Sequence, residues 1–191
     1  MTQTLNHYLA RSAEAITAMV TRDLTADMDR AVEAIVAALS TGKPLLVCGN
    51  GGSAADAIHI AGELVGRFLK ERKAYNVIAL PTNAGVMTAW GNDYGFETVY
   101  SRQVEAHGGP GAVLLAISTS GNSKNVVLAA EQAKAMDMAV VSLTGDTGGQ
   151  LAALSDVLLA VPSTHTPIIQ QGHLCLYHYL CEAVEARLSD G

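Results

Sequence analysis

The sequence predicts an α/β protein with a doubly wound, mainly parallel five-stranded sheet. Two observations carry that expectation. Five short apolar runs, Leu45–Cys48, Asn76–Leu80, Ala112–Ile117, Ala139–Leu143 and Val157–Val161, are continuous rather than alternating, which marks strands covered on both faces. Stretches with helical character separate them, at about 53–70, 84–106 with a break near Asn92, 123–136, 148–154 and 167–188. A β-α-β-α order gives an open sheet with right-handed crossovers. Ligands of such sheets sit at the carboxyl ends of the strands, so the motifs are to be sought there.

The first 40 residues read as helix. Leu5, Tyr8, Leu9, Ile16 and Met19 follow helical spacing, as do Met28, Val32, Ile35 and Leu39, with a break expected near Thr21–Asp23. The chain is therefore read as one domain, 1–191, with a helical arm over 1–40 and an α/β core over 41–191. The arm has no sheet of its own and must pack on the domain or on another subunit.

The length of 191 residues suffices for one full hydrophobic core. With 49% hydrophobic and 16% charged residues the chain is globular rather than disordered. A net charge of −6 argues against a general nucleic-acid binder. It leaves room for an anionic small ligand, because backbone dipoles bind phosphate inside acidic proteins. The first 30 residues hold no apolar run like a signal peptide, and 18 consecutive apolar residues occur nowhere. Cys48, Cys175 and Cys181 are odd in number and lack a C-x-x-C pair. They are expected to be reduced, in a cytoplasmic protein.

Four motifs carry chemistry. Gly49-Asn50-Gly51-Gly52-Ser53 follows the first strand; glycines permit a sharp turn and close backbone approach, and Ser53 suits a helix cap. An ordinary strand-to-helix turn has the same composition, and the dinucleotide G-x-G-x-x-G spacing is absent. Ser118-Thr119-Ser120-Gly121-Asn122-Ser123 follows the third strand. Hydroxyls, a glycine and a helix N-terminus together suit a phosphate dianion, where a cap alone needs one serine. His59 and Glu63 stand four apart on one helix face, the spacing also of a simple surface pair. Gln170 and His178 are about two turns apart on the last helix, with His173 ambiguous between faces. Asp93 lies in Gly91-Asn92-Asp93-Tyr94-Gly95, where a turn aspartate is the plain alternative.

In order and spacing these segments resemble the sugar isomerase (SIS) domain, and within it the bacterial phosphoheptose isomerases, over nearly the whole chain. The segments are GNGGSAADAIHIAGEL from Gly49 to Leu64, GNDYGFE from Gly91 to Glu97, SRQVEA from Ser101 to Ala106, ISTSGNS from Ile117 to Ser123, and the Gln170 to His178 helix. The resemblance implies interconversion of sedoheptulose 7-phosphate and D-glycero-D-manno-heptose 7-phosphate by a cytosolic homotetramer with active sites between subunits. It implies a phosphate site at Ser118, Thr119, Ser120 and Ser123. Asn50, Gly51 and Ser53 form the substrate loop, and Asp93 and Gln170 also contact substrate. It makes Glu63 and His178 the catalytic base and acid. His59, Glu63, Gln170 and His178 become ligands of a zinc ion, one per active site.

The chain departs from the family at two places. Ile168-Ile169-Gln170-Gln171 stands where Arg-Ile-Gln-Glu is frequent, and Thr82-Asn83-Ala84-Gly85 replaces an Asp-x-Ser loop. The rivals are a non-catalytic SIS-domain regulator and an isomerase of another sugar phosphate. Retention of His59, Glu63 and His178 favours an enzyme.

Overall fold

The structure is a computed structural model, and it describes residues 4–189; residues 1–3 and 190–191 of the expected domain lie outside that range. Two helices open the chain, α1 (Leu5–Arg22) and α2 (Thr25–Ser40). Then come β1 (Leu45–Gly49), α3 (Gly52–Val65), β2 (Val77–Ala79), α4 (Ala84–Tyr94), α5 (Val99–His107), β3 (Val113–Ser118), α6 (Lys124–Ala135), β4 (Ala139–Thr144), α7 (Leu151–Leu154), β5 (Val157–Ala160) and α8 (Thr166–Ser189). All five strands pair in parallel, in the order β2-β1-β3-β4-β5. That order reverses direction between β1 and β3, so the loops after these two strands flank the crevice where a ligand binds in this architecture.

The strands are apolar throughout because both faces are covered. Leu45 and Val47 point into a core built with α2, α3 and α8, where Ile35, Ile60, Leu64 and Leu180 are sealed from solvent. Leu46 and Cys48 point the other way, into a second core with α5 and α6 that holds Tyr100, Val104 and Val126. α2 gives Met28, Ala31, Val32, Ile35 and Ala38 to the first core. By contrast only Ser12 and Ala15 of α1 are buried, while Leu5, Leu9, Ile16 and Val20 of that helix stay exposed.

Two helix boundaries differ from expectation. The break in 84–106 falls at Gly95, whose φ of 96° ends α4, rather than near Asn92. α3 stops at Val65 instead of running to residue 70. The reason is a buried acceptor: the Glu185 carboxylate takes backbone N–H bonds from Phe68, Leu69 and Lys70 and pairs with Arg72 at 3.0 Å. Amides used in that way are unavailable to a helix. Burial works to raise the Glu185 pKa, but these amides and the Arg72 guanidinium outweigh it and hold the group below its usual value. Among the described residues no helix is long and apolar enough to cross a membrane. All three cysteines are free, and burial pushes the Cys48 and Cys181 thiols up to about 12.

Candidate active site

Two clusters of functional side chains emerge. The first lies at the switch point. Ser118 is the last residue of β3 and is buried. Its hydroxyl lies 2.9 Å from Ser123 Oγ and 3.5 Å from Ser120 Oγ. Ser123 is the N-cap of α6, yet its side chain makes no capping bond. The hydroxyl that would cap the helix is turned toward Ser118; Val126 N–H donates to Ser123 O at 2.9 Å, and the Lys124 and Asn125 amides stay open to an anion. Ser120 Oγ accepts from Asn122 N–H at 3.1 Å, and Thr119 O accepts from Gly145 N–H.

Glycine is required where the loops meet. A Cβ on Gly121, at φ 67°, would collide with the Gly148 carbonyl, and one on Gly49 would come within 2.6 Å of Ser53 O. Asn50 and Asn125 exchange amide bonds of 2.7 and 2.9 Å across the crevice, joining the loop after β1 to the start of α6. Asn125 was not legible as a site residue; only its place in the first turn after the hydroxyl motif hints at it. Ser53 does not cap. The helix begins at Gly52 behind Gly51, at φ 56°, which leaves buried Ser53 inside the first turn.

The second cluster lies along the seam of α3 and α8. The ligand atoms of His59, Glu63 and His178 all stand within 4.8 Å of one another. His59 Nε2 is 2.9 Å from Glu63 Oε1, and its ring meets that of His178 edge-on at 5.1 Å. Tyr177 and Phe68 flank His178 at 4.9 and 5.9 Å between ring centres. Two imidazoles and a carboxylate are able to hold a metal ion. His59 is exposed, and Glu63 and His178 are half-buried.

Gln170 does not join this group within one chain. Its side-chain amide packs on Gly52, where an added Cβ would collide with Nε2 and stand 3.0 Å from Cδ. α3 and α8 run side by side in the same direction, Gln170 beside Gly52 and Tyr177 beside His59. Seven residues of α3 separate these levels, about 10 Å of helix rise. The expectation that two helices gather all four groups at the strand ends is thereby corrected: only Gln170 is at that level. Asp93, exposed on the last turn of α4, accepts from the Asn92 side chain at 2.9 Å and is brought to neither cluster.

Residues 7–145 match the family model for the SIS domain. The chain is 53% identical over 154 residues to a phosphoheptose isomerase of Rhodospirillum rubrum, covering 81% of this chain and 82% of the relative. Its fold superposes on the phosphoheptose isomerase of Neisseria gonorrhoeae with a TM-score of 0.89 at 41% identity, covering 95% of this chain and 97% of the other. For a phosphoheptose isomerase from Francisella tularensis the values are 0.91 and 36%, over 95% and 96%. The chain belongs to the phosphoheptose isomerase family of SIS-domain proteins.

The two departures from that family have local explanations. Ile168 and Ile169 are buried, so no charge is tolerated there without a partner. Gln171 donates to Tyr8 Oη at 3.0 Å and ties α8 to α1. In the other segment Asn83 caps α4 by accepting from Val86 N–H at 3.1 Å, and Thr82 Oγ1 donates to Ala79 O. The ambiguous His173 is fully buried: its Nε2 meets Thr144 O at 3.0 Å, pinning α8 to the end of β4, and burial lowers its pKa to about 4. It is a neutral structural histidine.

Proposed function

We propose that this protein is a phosphoheptose isomerase that interconverts sedoheptulose 7-phosphate and D-glycero-D-manno-heptose 7-phosphate, in the cytoplasm, on the way to heptose precursors. The observation that carries the reading is the meeting of His59, Glu63 and His178 from two helices in a chain of this family. The hydroxyls of Ser118, Thr119, Ser120 and Ser123, with the open amides of α6, anchor the phosphate. Asn50, Gly51, Ser53, Asp93 and Gln170 contact the sugar.

Anchoring the far end orients the reacting end. In the ketose-to-aldose direction Glu63 removes a proton from C1 while His178 gives one to the C2 carbonyl oxygen, leaving an enediol. The proton on Glu63 then goes to C2 as His178 takes back the O1 hydroxyl proton. The donor set of His59, Glu63 and His178 fits zinc, which prefers imidazole nitrogen and carboxylate oxygen and keeps a position open for substrate. Bound there, zinc would supply Lewis-acid polarisation of the sugar oxygens. A carboxylate has two oxygens, so ligation through one leaves the other for the proton.

The active unit is a homotetramer with its sites between subunits. Two features support this: the apolar residues Leu5, Leu9, Ile16 and Val20 exposed on α1, and the separation of Gln170 from the other three ligands within one chain. Turnover of a panel of ketose phosphates, with and without chelator, tests the proposal. Sedoheptulose 7-phosphate is expected to react best, chelation to abolish turnover and zinc to restore it. No turnover in zinc-replete buffer would overturn the reading, and a fully active monomer would overturn the assembly.

A further inference from the structure

The roles discussed so far leave Tyr177 and Asp56 without a task, although both bear on His59. Tyr177 is fully buried on α8, and its hydroxyl lies 2.9 Å from His59 Nδ1. Asp56 stands one turn before His59 on α3. Its Oδ2 is buried with no hydrogen-bond partner among the described residues. Burial raises the Asp56 pKa, and its interactions with His59 and the Tyr177 hydroxyl work against that rise. A buried carboxyl oxygen without a donor is costly and calls for an explanation.

A phenol hydroxyl both donates and accepts, and it rotates. The 2.9 Å contact between His59 Nε2 and Glu63 requires a proton between them. A neutral His59 then carries that proton on Nε2 and accepts the Tyr177 O–H on Nδ1. A cation at Nε2 needs the lone pair there, so the ring proton must sit on Nδ1 and be donated to the Tyr177 oxygen. The Tyr177 O–H is then free to turn to the unpartnered Asp56 Oδ2. The ring proton count is unchanged: one proton moves from Nε2 to Nδ1 and one hydroxyl rotates.

We propose that Tyr177 and Asp56 are positioning residues that hold His59 in the Nδ1–H form a metal ligand requires. The proposal rests on the metal reading of the His59, Glu63 and His178 group. It also gives the unpartnered Asp56 oxygen a donor in the state that matters. Partners of this kind behind a ligating histidine are worth about 10- to 100-fold in metal affinity.

The test uses the full chain with zinc alone as the probe, titrated against a competing chromophoric chelator. Tyr177→Phe, which keeps the buried ring, is expected to weaken zinc binding about 10- to 100-fold. Asp56→Asn retains an acceptor and is expected to lose less than Asp56→Ala. Nitrogen NMR of the labelled imidazoles should show His59 protonated on Nδ1 in the zinc-loaded wild type, and lose that preference in Tyr177→Phe. Circular dichroism checks folding; should Tyr177→Phe not fold, the Asp56 pair carries the test. If the wild type binds zinc, and the folded variants bind it equally well with His59 in the same tautomer, the proposal is overturned while the metal reading stands. If the wild type takes up no zinc, both fall.

Discussion

The hydroxyl loop after β3 is fixed by backbone, whereas the His59, Glu63 and His178 group is fixed by the packing of two helices. In the first, close approach at Gly121 and Gly49, the exchanged amides of Asn50 and Asn125, and the β1/β3 switch point leave the chain little choice of path. In the second, nothing in the backbone of α3 demands that His178 be near. The distance depends on the register of α8, which is set by Gln170 on Gly52 at one end and by Glu185 holding 68–70 and Arg72 at the other. A rigid anchor at the sheet and an adjustable seam on the helices suit an enzyme that must hold a phosphate firmly while protons move. Substitutions in the seam should therefore damage chemistry, and those in the loop should damage binding.

The largest effect is expected from Glu63→Gln. The amide cannot take the proton, so kcat should fall about 10²- to 10⁴-fold, with KM for the phosphorylated sugar and the melting temperature little changed. Steady-state kinetics beside a thermal melt checks this. A KM increase at constant kcat would mean that the seam serves binding, and the contrast between the regions would collapse.

The next effect concerns stability, through the contact that seats α8 on the sheet. The folded pKa of His173 is about 4, against about 6.5 for a free imidazole. The depressed value means that the unfolded chain binds the proton more readily. The stability from neutral His173 is thus fully present above about pH 6.5 and is lost as pH falls toward 4. By pH 5 the loss is about 2 kcal/mol. His173→Gln keeps a donor for Thr144 O and should remove this part of the slope. Urea unfolding of both proteins at pH 7 and pH 5 measures it, and identical slopes would refute the assignment.

How much of this was legible in the sequence follows the same division. The five strands and the turn near Thr21–Asp23 were readable because apolar runs and helical periodicity are local. The loops were readable because glycines and hydroxyls at strand ends announce their own backbone demands. What escaped were long-range partners. Gly66 beside Val65 is a local stop signal, but the acceptor that holds 68–70 out of the helix, Glu185, is more than a hundred residues away. Gln170 and His178 share a helix side, as the spacing required, but periodicity fixes a face and not a height against the neighbouring helix. Gln170 accordingly lies about 10 Å of helix rise from the level of His59. Tyr177 carried no signal in the sequence, since only the position of His59 Nδ1 gives its hydroxyl a purpose.

At the loop, smaller effects are expected. Ser120→Ala and Ser123→Ala should each raise KM for the sugar phosphate by the worth of one hydrogen bond, about 0.5–1.5 kcal/mol and more toward a charged oxygen. kcat should stay near wild type, because the groups proposed to transfer protons lie in the other cluster. A fall in kcat with KM unchanged would place the reacting carbons, not the phosphate, at the hydroxyls.

The smallest expected change in stability is that of Ser118→Ala, and it is the sharpest probe of what the loop is for. Ser118 is buried, and its hydroxyl occupies the Ser123 side chain at 2.9 Å. Removing a buried hydroxyl from a pair ordinarily costs about 1 kcal/mol or more, because the partner is left unsatisfied. Here the partner has an alternative. Ser123 is the N-cap of α6 with no capping bond, and once released its oxygen is free to accept from the open Asn125 N–H. Capping by serine is worth about 0.5–2 kcal/mol, enough to offset the lost pair, so the melting temperature should hardly move. The amide consumed by that cap is one proposed to bind the phosphate, so KM should rise although stability does not. A stability loss above about 2 kcal/mol with unchanged KM would show that the hydroxyl pair holds the fold together. The phosphate would then bind without the help of α6.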